Sequence, residues 1–165
     1  KVELLEGGGR GDVSGIMSQS RQPIRIVAGL PPFGRVEDSS IPLDNLTLFT
    51  VGPPIETKSI LSNRAKMAKI RETGAAALKD YLDNVSLNSL FRISNRFSKE
   101  SNLCTPEMDD AIAALKDVGH MAAMCMLGAS IFTTASEETV KEVIGDVWTA
   151  SCRTTAEEAR VTRIK

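Results

Sequence analysis

The sequence predicts an α+β protein, and three observations carry that expectation. Before Gly52, short stretches show the alternation and β-branched content of strands. Between residues 57 and 117, apolar residues return at close to a helical period behind recognisable caps. From Met121 a continuous apolar run is interrupted by Gly128-Ala129 and then continues in strand-like composition.

Taken in order, residues 13–20 and 24–29 read as strands separated by Pro23, with Ile24, Ile26 and Ala28 alternating with Arg25 and Val27. Residues 30–44 read as a loop, because Pro31, Pro32, Gly34 and Pro42 punctuate them. Leu-Thr-Leu-Phe-Thr-Val at 46–51 reads as an apolar strand, stopped by Gly52-Pro53-Pro54, where the domain boundary is placed. Residues 57–83 are expected to be one helix, with Ile60, Met67, Ile70, Leu78 and Leu82 near a 3.6 period. Gly74 inside it costs about 1 kcal/mol relative to alanine. Ser86 is the expected N-cap of a helix over 87–98. Thr105-Pro106-Glu107 combines a cap, a first-turn proline and an acid at the positive end of the helix dipole, so a helix starts there and ends near Gly119. Residues 121–127 are expected to be a strand that turns tightly at Gly128-Ala129 into a second. A short helix over 137–144, capped by Ser136, precedes a last strand over 147–152.

Composition narrows the function classes. The chain has 165 residues, 42 % apolar and 25 % charged, within the range of globular proteins that bury a core. Twenty basic and 21 acidic residues leave a net charge of -1, which argues against nucleic acid or an anionic membrane as the main partner. No run reaches the roughly 18 apolar residues of a membrane helix, and no signal peptide is legible. Cys104, Cys125 and Cys152 lack CxxC spacing and read as free thiols in a reducing, cytoplasmic setting. With one histidine, His120, a His-rich metal site is excluded. The chain opens without Met and runs straight into a glycine loop, which reads as entry in the middle of a fold.

That loop, Gly7-Gly8-Gly9-Arg10-Gly11-Asp12, carries the chemistry. It is either a surface turn, since glycine takes positive φ at little cost, or a backbone that lets Asp12 approach a ligand. Glu3 upstream is a solvated charge or a second acid converging on the same ligand. Two carboxylates on a glycine-built backbone suit a phosphate and a divalent metal. Arg25 is an outward-facing charge or an anion ligand. Thr57 is an N-cap at a helix start that also suits an anion. Lys58, Arg64, Lys66, Lys69 and Arg71 read as a solvated helix face, and Met121, Met124 and Met126 as core. There is no GxxxxGK[ST] or GxGxxG fingerprint.

These segments together resemble the archaeal pantoate kinases of the GHMP kinase superfamily. The resemblance runs over Gly9-Arg10-Gly11-Asp12-Val13, Ile24-Arg25-Ile26 with Gly29-Leu30-Pro31-Pro32-Phe33-Gly34, Gly52-Pro53-Pro54-Ile55-Glu56-Thr57-Lys58, and Met126-Leu127-Gly128-Ala129-Ser130-Ile131-Phe132. It covers most of this chain and the later half of such an enzyme. It implies closing strands of a catalytic N-terminal domain over 1–52 and, over 53–165, helices on an antiparallel, ferredoxin-like sheet. It also implies phosphoryl transfer from ATP, with Mg²⁺, to the 4-hydroxyl of pantoate or a similar hydroxy acid.

By this resemblance Asp12 is the acid that orients or deprotonates the hydroxyl, and Glu3 holds Mg²⁺ against the ATP phosphates. Gly9, Gly11 and Gly128 are cofactor contacts; Arg25 pairs with the pantoate carboxylate and Thr57 touches substrate. The superfamily's Pro/Gly-rich phosphate loop is expected upstream of this region, so an N-terminal segment of the same enzyme is the implied partner and this chain by itself is expected to be inactive. The third motif retains only Gly128 of its glycines, and Ser20-Arg21 replaces a glycine pair. Two alternatives stay open: a homoserine- or mevalonate-type kinase, and a non-catalytic ferredoxin-like binding or dimerisation module, which leaves a homodimer open.

Overall fold

The computed structural model describes residues 11–29, 32–53, 57–126 and 128–157, leaving aside the side chains of Asp12, Thr57 and Lys58. Two compact units are present, Leu43–Arg153 and the pair of segments Lys1–Pro42 and Thr154–Lys165. The larger unit begins before the Gly52-Pro53-Pro54 boundary read from sequence. The reason is strand pairing: the 45–50 strand is an inner strand of the larger unit's own sheet, paired on one side with residues 130–133 and on the other with 149–153.

In the smaller unit, helix α1 (Gly11–Met17) is followed by strand β1 (Pro23–Val27) and strand β2 (Arg35–Asp38), which form an antiparallel ribbon. Two expectations are corrected here. The 13–20 segment is helical at 11–17, with the Ser14 hydroxyl buried and donating to Gly29 O at 3.2 Å, a partner only the folded chain supplies. The 30–44 loop contains β2, whose Arg-Val-Glu-Asp has no apolar alternation and becomes a strand because Pro23, Ile24 and Arg25 pair with Asp38, Glu37 and Val36.

The larger unit runs β3 (Asn45–Thr50), α2 (Thr57–Leu61), α3 (Arg64–Asp83), α4 (Leu87–Glu100), α5 (Pro106–Asp117), β4 (Ala122–Met124), β5 (Ser130–Thr133), α6 (Glu137–Ile144) and β6 (Thr149–Arg153). Its four-stranded sheet has the order β4-β5-β3-β6, and every neighbouring pair is antiparallel. Numbered within the sheet, that is fourth-first-third-second read from the β6 edge, the order of a ferredoxin-like β-α-β-β-α-β arrangement. The fold is therefore α+β, with helices on an antiparallel sheet.

Local chemistry explains most boundaries. Thr105 Oγ1 accepts from Met108 N at 3.3 Å and Pro106 occupies the first turn, where a missing N–H costs nothing. Ser136 Oγ accepts from Thr139 N and Ser86 Oγ from Ser89 N, both at 3.2 Å. The expected single helix over 57–83 is instead two, because Asn63 leaves helical geometry and its Oδ1 caps α3 by accepting from Lys66 N at 3.0 Å.

The helices and sheet close on a core in which Phe49, Met108, Leu115, Ile131 and Val140 have no exposed surface. At Gly74 in α3, an added Cβ would sit 3.5 Å from the Phe97 ring of α4, so the glycine lies where the two helices meet. Phe91 of α4 meets Phe132 of β5 with ring centroids 5.1 Å apart at a 40° tilt, a favourable offset geometry.

Candidate functional site

The candidate residues fall into two groups, one in each unit. In the smaller unit, Gly11 and Asp12 open α1 and Arg25 stands exposed on β1. A Cβ built on Gly11 would lie 3.5 Å from Arg25 Nη1, so the guanidinium reaches the backbone immediately before Asp12. That distance is ordinary van der Waals contact, and Gly11 is not required for room. The structure thus brings Arg25 to the Gly11-Asp12 step. Glu3 and Gly9 lie outside the described residues, as does the Asp12 carboxylate, so the expected convergence of two acids rests on sequence alone.

The β1–β2 loop explains two glycines of the Gly29–Gly34 segment. Gly29 has φ +125°, and a Cβ on Gly34 would overlap the carbonyl oxygen of Gly29. The loop closes only because the backbones touch there. Within the loop Phe33 is 84 % exposed. Asp38 at the end of β2 accepts from Ser20 Oγ at 2.6 Å and Ser40 Oγ at 3.1 Å; these hydroxyls, Ser20 first, hold its carboxyl below the ordinary range.

In the larger unit, the β4–β5 connection carries Gly128. Cys125 N donates to Ser130 O at 2.9 Å and closes the turn. Val51 N donates to Ala129 O at 3.0 Å, and a Cβ on Gly52 would meet Ala129 Cβ at 3.6 Å. The Gly128 turn therefore lies against the segment that leads into α2 at Thr57. The sequence reading gave Gly128 and Thr57 to separate motifs; β3–β5 pairing sets the Gly128 turn beside Val51 and Gly52. The same end of the sheet carries a residue that reading missed. Trp148 is 61 % exposed, and its carbonyl accepts from Thr50 N at 3.4 Å. Its signal was present: a lone tryptophan directly after the helix stop at Gly145-Asp146.

Burial disfavours the thiolate in two of the three cysteines. All three are free and half-buried, and burial pushes the Cys125 thiol up to about 11 and raises Cys104 as well. Among the described residues, no group of three His, Cys, Asp or Glu could hold a metal, and no helix is long and apolar enough to cross a membrane.

Comparison with known proteins gives two similarities; no protein-family model matches the chain. A pantoate kinase from Methanospirillum hungatei is 28 % identical over 152 residues, covering 90 % of this chain and 48 % of that protein. A solved structure described as a phosphotransferase related to the CoA biosynthesis pathway superposes with a TM-score of 0.68 at 20 % identity, over 82 % of this chain and 46 % of that one. The chain spans about half the length of the curated relative it matches. It is pantoate kinase-like in sequence, on the α+β fold it shares with that phosphotransferase.

Proposed function

We propose that this chain is the later part of an ATP-dependent kinase that phosphorylates the 4-hydroxyl of pantoate to 4-phosphopantoate, in the cytoplasm, as a step of coenzyme A biosynthesis. The observation that carries this reading is similarity to a pantoate kinase along 90 % of the chain. In this reading ATP supplies the phosphoryl group and Mg²⁺ neutralises its charge, with Glu3 as the metal's carboxylate. The Glu3 assignment rests on the resemblance, since Glu3 lies outside the described residues.

The chain's own residues have defined tasks. Asp12 takes the proton of the reacting hydroxyl. Arg25, whose fork already reaches the Gly11-Asp12 backbone, holds the substrate carboxylate and so sets the hydroxyl beside Asp12. Gly9 and Gly11 let the backbone approach the phosphates. Gly128, whose turn lies against Val51 and Gly52, and Thr57 at the start of α2 shape the rest of the pocket. The phosphate loop would be supplied by sequence upstream of Lys1, and residues 1–52 would belong with that catalytic domain.

The test is turnover of pantoate, homoserine and mevalonate with Mg-ATP by the protein carrying its upstream coding sequence. Pantoate should be the substrate used, and Asp12→Ala should lower kcat by about 100-fold or more while the protein stays folded. Undiminished turnover in that variant rejects the role given to Asp12. A second reading, a non-catalytic ferredoxin-like module, draws on the self-contained core of residues 43–153. Calorimetry with Mg-ATP separates the two: binding by the extended protein but not by this chain favours the kinase, and binding by neither favours the module.

A further inference from the structure

The larger unit holds a cavity with an apolar floor and a basic rim that the kinase reading does not use. It lies between α4, α5 and the start of β4, has a volume of about 370 Å³, and sits at the opposite end of β4 from the Gly128 turn. Its apolar floor is Phe91, Ile112 and Ala122, all buried. Its rim is Asn88, Arg92, Lys116 and His120, and no carboxylate lines it. Among the described residues, no hydrogen bond or ion pair engages the side chains of Arg92, Lys116 or His120. The neighbouring cations behave otherwise: Arg96 pairs with Asp80 at 2.6 Å and Lys99 with Asp109 at 2.6 Å.

Asn95 donates from Nδ2 to Ala122 O at 2.9 Å, which fixes the orientation of its amide. Its Oδ1 is buried and has no donor.

We propose that this cavity binds a small organic phosphate of nucleotide size. Arg92 and Lys116 would take the phosphate charge, with His120 and Asn88 as further donors. The organic body would lie over Phe91 and Ile112. The volume suits such a molecule, since ligand pockets begin at roughly 300 Å³. The two cations are exposed, one on each helix, so replacing them leaves the core intact.

Adenosine 5′-monophosphate is the probe, followed by amide chemical shifts of the chain, with adenosine and inorganic phosphate as controls. The nucleotide should shift the amides of Asn88, Arg92, Asn95, Lys116 and His120 saturably, more tightly than either control. The pair Arg92→Gln and Lys116→Gln should weaken that binding about tenfold or more, with the remaining amide spectrum unchanged. Four outcomes overturn the proposal: no saturation at millimolar nucleotide, an equal response to adenosine or to phosphate alone, equal affinity in the double variant, or shifts confined to the Gly128 turn. None of these bears on whether the protein phosphorylates pantoate, so the two readings fail separately.

Discussion

In the unit 43–153, Phe49, Met108, Leu115, Ile131 and Val140 are fully buried in one cluster; in the unit of 1–42 and 154–165, Ile16, Met17, Val27 and Phe33 are exposed. The first is held by packing. The second, among its described residues, is a short helix and a two-stranded ribbon, an element that is marginal in water without other support. Among its described residues, what holds its shape is a few backbone and hydroxyl contacts: the Gly29–Gly34 backbone contact, Ser14 on Gly29 O, and Asp38 between Ser20 and Ser40. The difference separates two tasks. Residues 43–153 secure the fold, while Asp12 and Arg25, the residues proposed for chemistry, stand on backbone set by glycines and hydroxyls.

Four measurements break or sharpen that contrast. The largest effect is expected from Leu115→Ala, which removes a side chain with no exposed surface from the centre of the core. It should cost roughly 2–5 kcal/mol in urea unfolding of the larger unit. A loss below about 1 kcal/mol would mean that the core collapses around the gap.

Next comes Gly34→Ala, where the new Cβ collides with Gly29 O. Opening the loop to admit it should cost about 1–3 kcal/mol, read as lost hydrogen-exchange protection in β1 and β2. Protection in β3 to β6 should be unchanged. If it fell equally, the units would not be energetically separable and the comparison would fail.

Thr105→Ala takes away the hydroxyl that accepts from Met108 N and should lower stability by about 1 kcal/mol. Because α5 belongs to the larger unit, the loss should appear there and leave the β1–β2 ribbon unmoved.

The smallest effect is a pH dependence. Glu137 accepts from Thr149 Oγ1 at 2.6 Å and from Ser151 Oγ and N at 2.7 and 2.9 Å, tying α6 to β6. These bonds, Thr149 first, lower its pKa from the ordinary 4.5. A lowered folded pKa means that the contribution is complete above about 4.5 and is lost as pH falls through the folded value. Urea titrations of the wild type and Glu137→Gln should converge in acid and part above that range; parallel curves would remove the assignment.

The strongest sequence signals were those with the shortest range. Thr105-Pro106 and Ser136 announced α5 and α6, and α6 occupies the residues expected of it, 137–144. The apolar run from Met121 and the Gly128 turn became the β4–β5 hairpin. The signal at Asn63 was overlooked, although asparagine is a strong cap. The candidate site was legible as separate motifs. Arg25, Asp12, Gly128 and Thr57 could be named from residue type and resemblance, but that Arg25 reaches Gly11, or that the Gly128 turn lies against the strand leading to Thr57, could not be.

The sequence alone determined the α+β class and the starts of α4, α5 and α6, because a cap and its amide are three residues apart and need no distant partner. Tertiary structure decided that 11–17 is helical, that Arg35–Asp38 is a strand and that the sheet runs β4-β5-β3-β6. Each of those depends on a partner far along the chain: Gly29 O for Ser14, β1 for β2, and β5 and β6 for β3. A strand's hydrogen bonds belong to its neighbour, so no window of local sequence contains them.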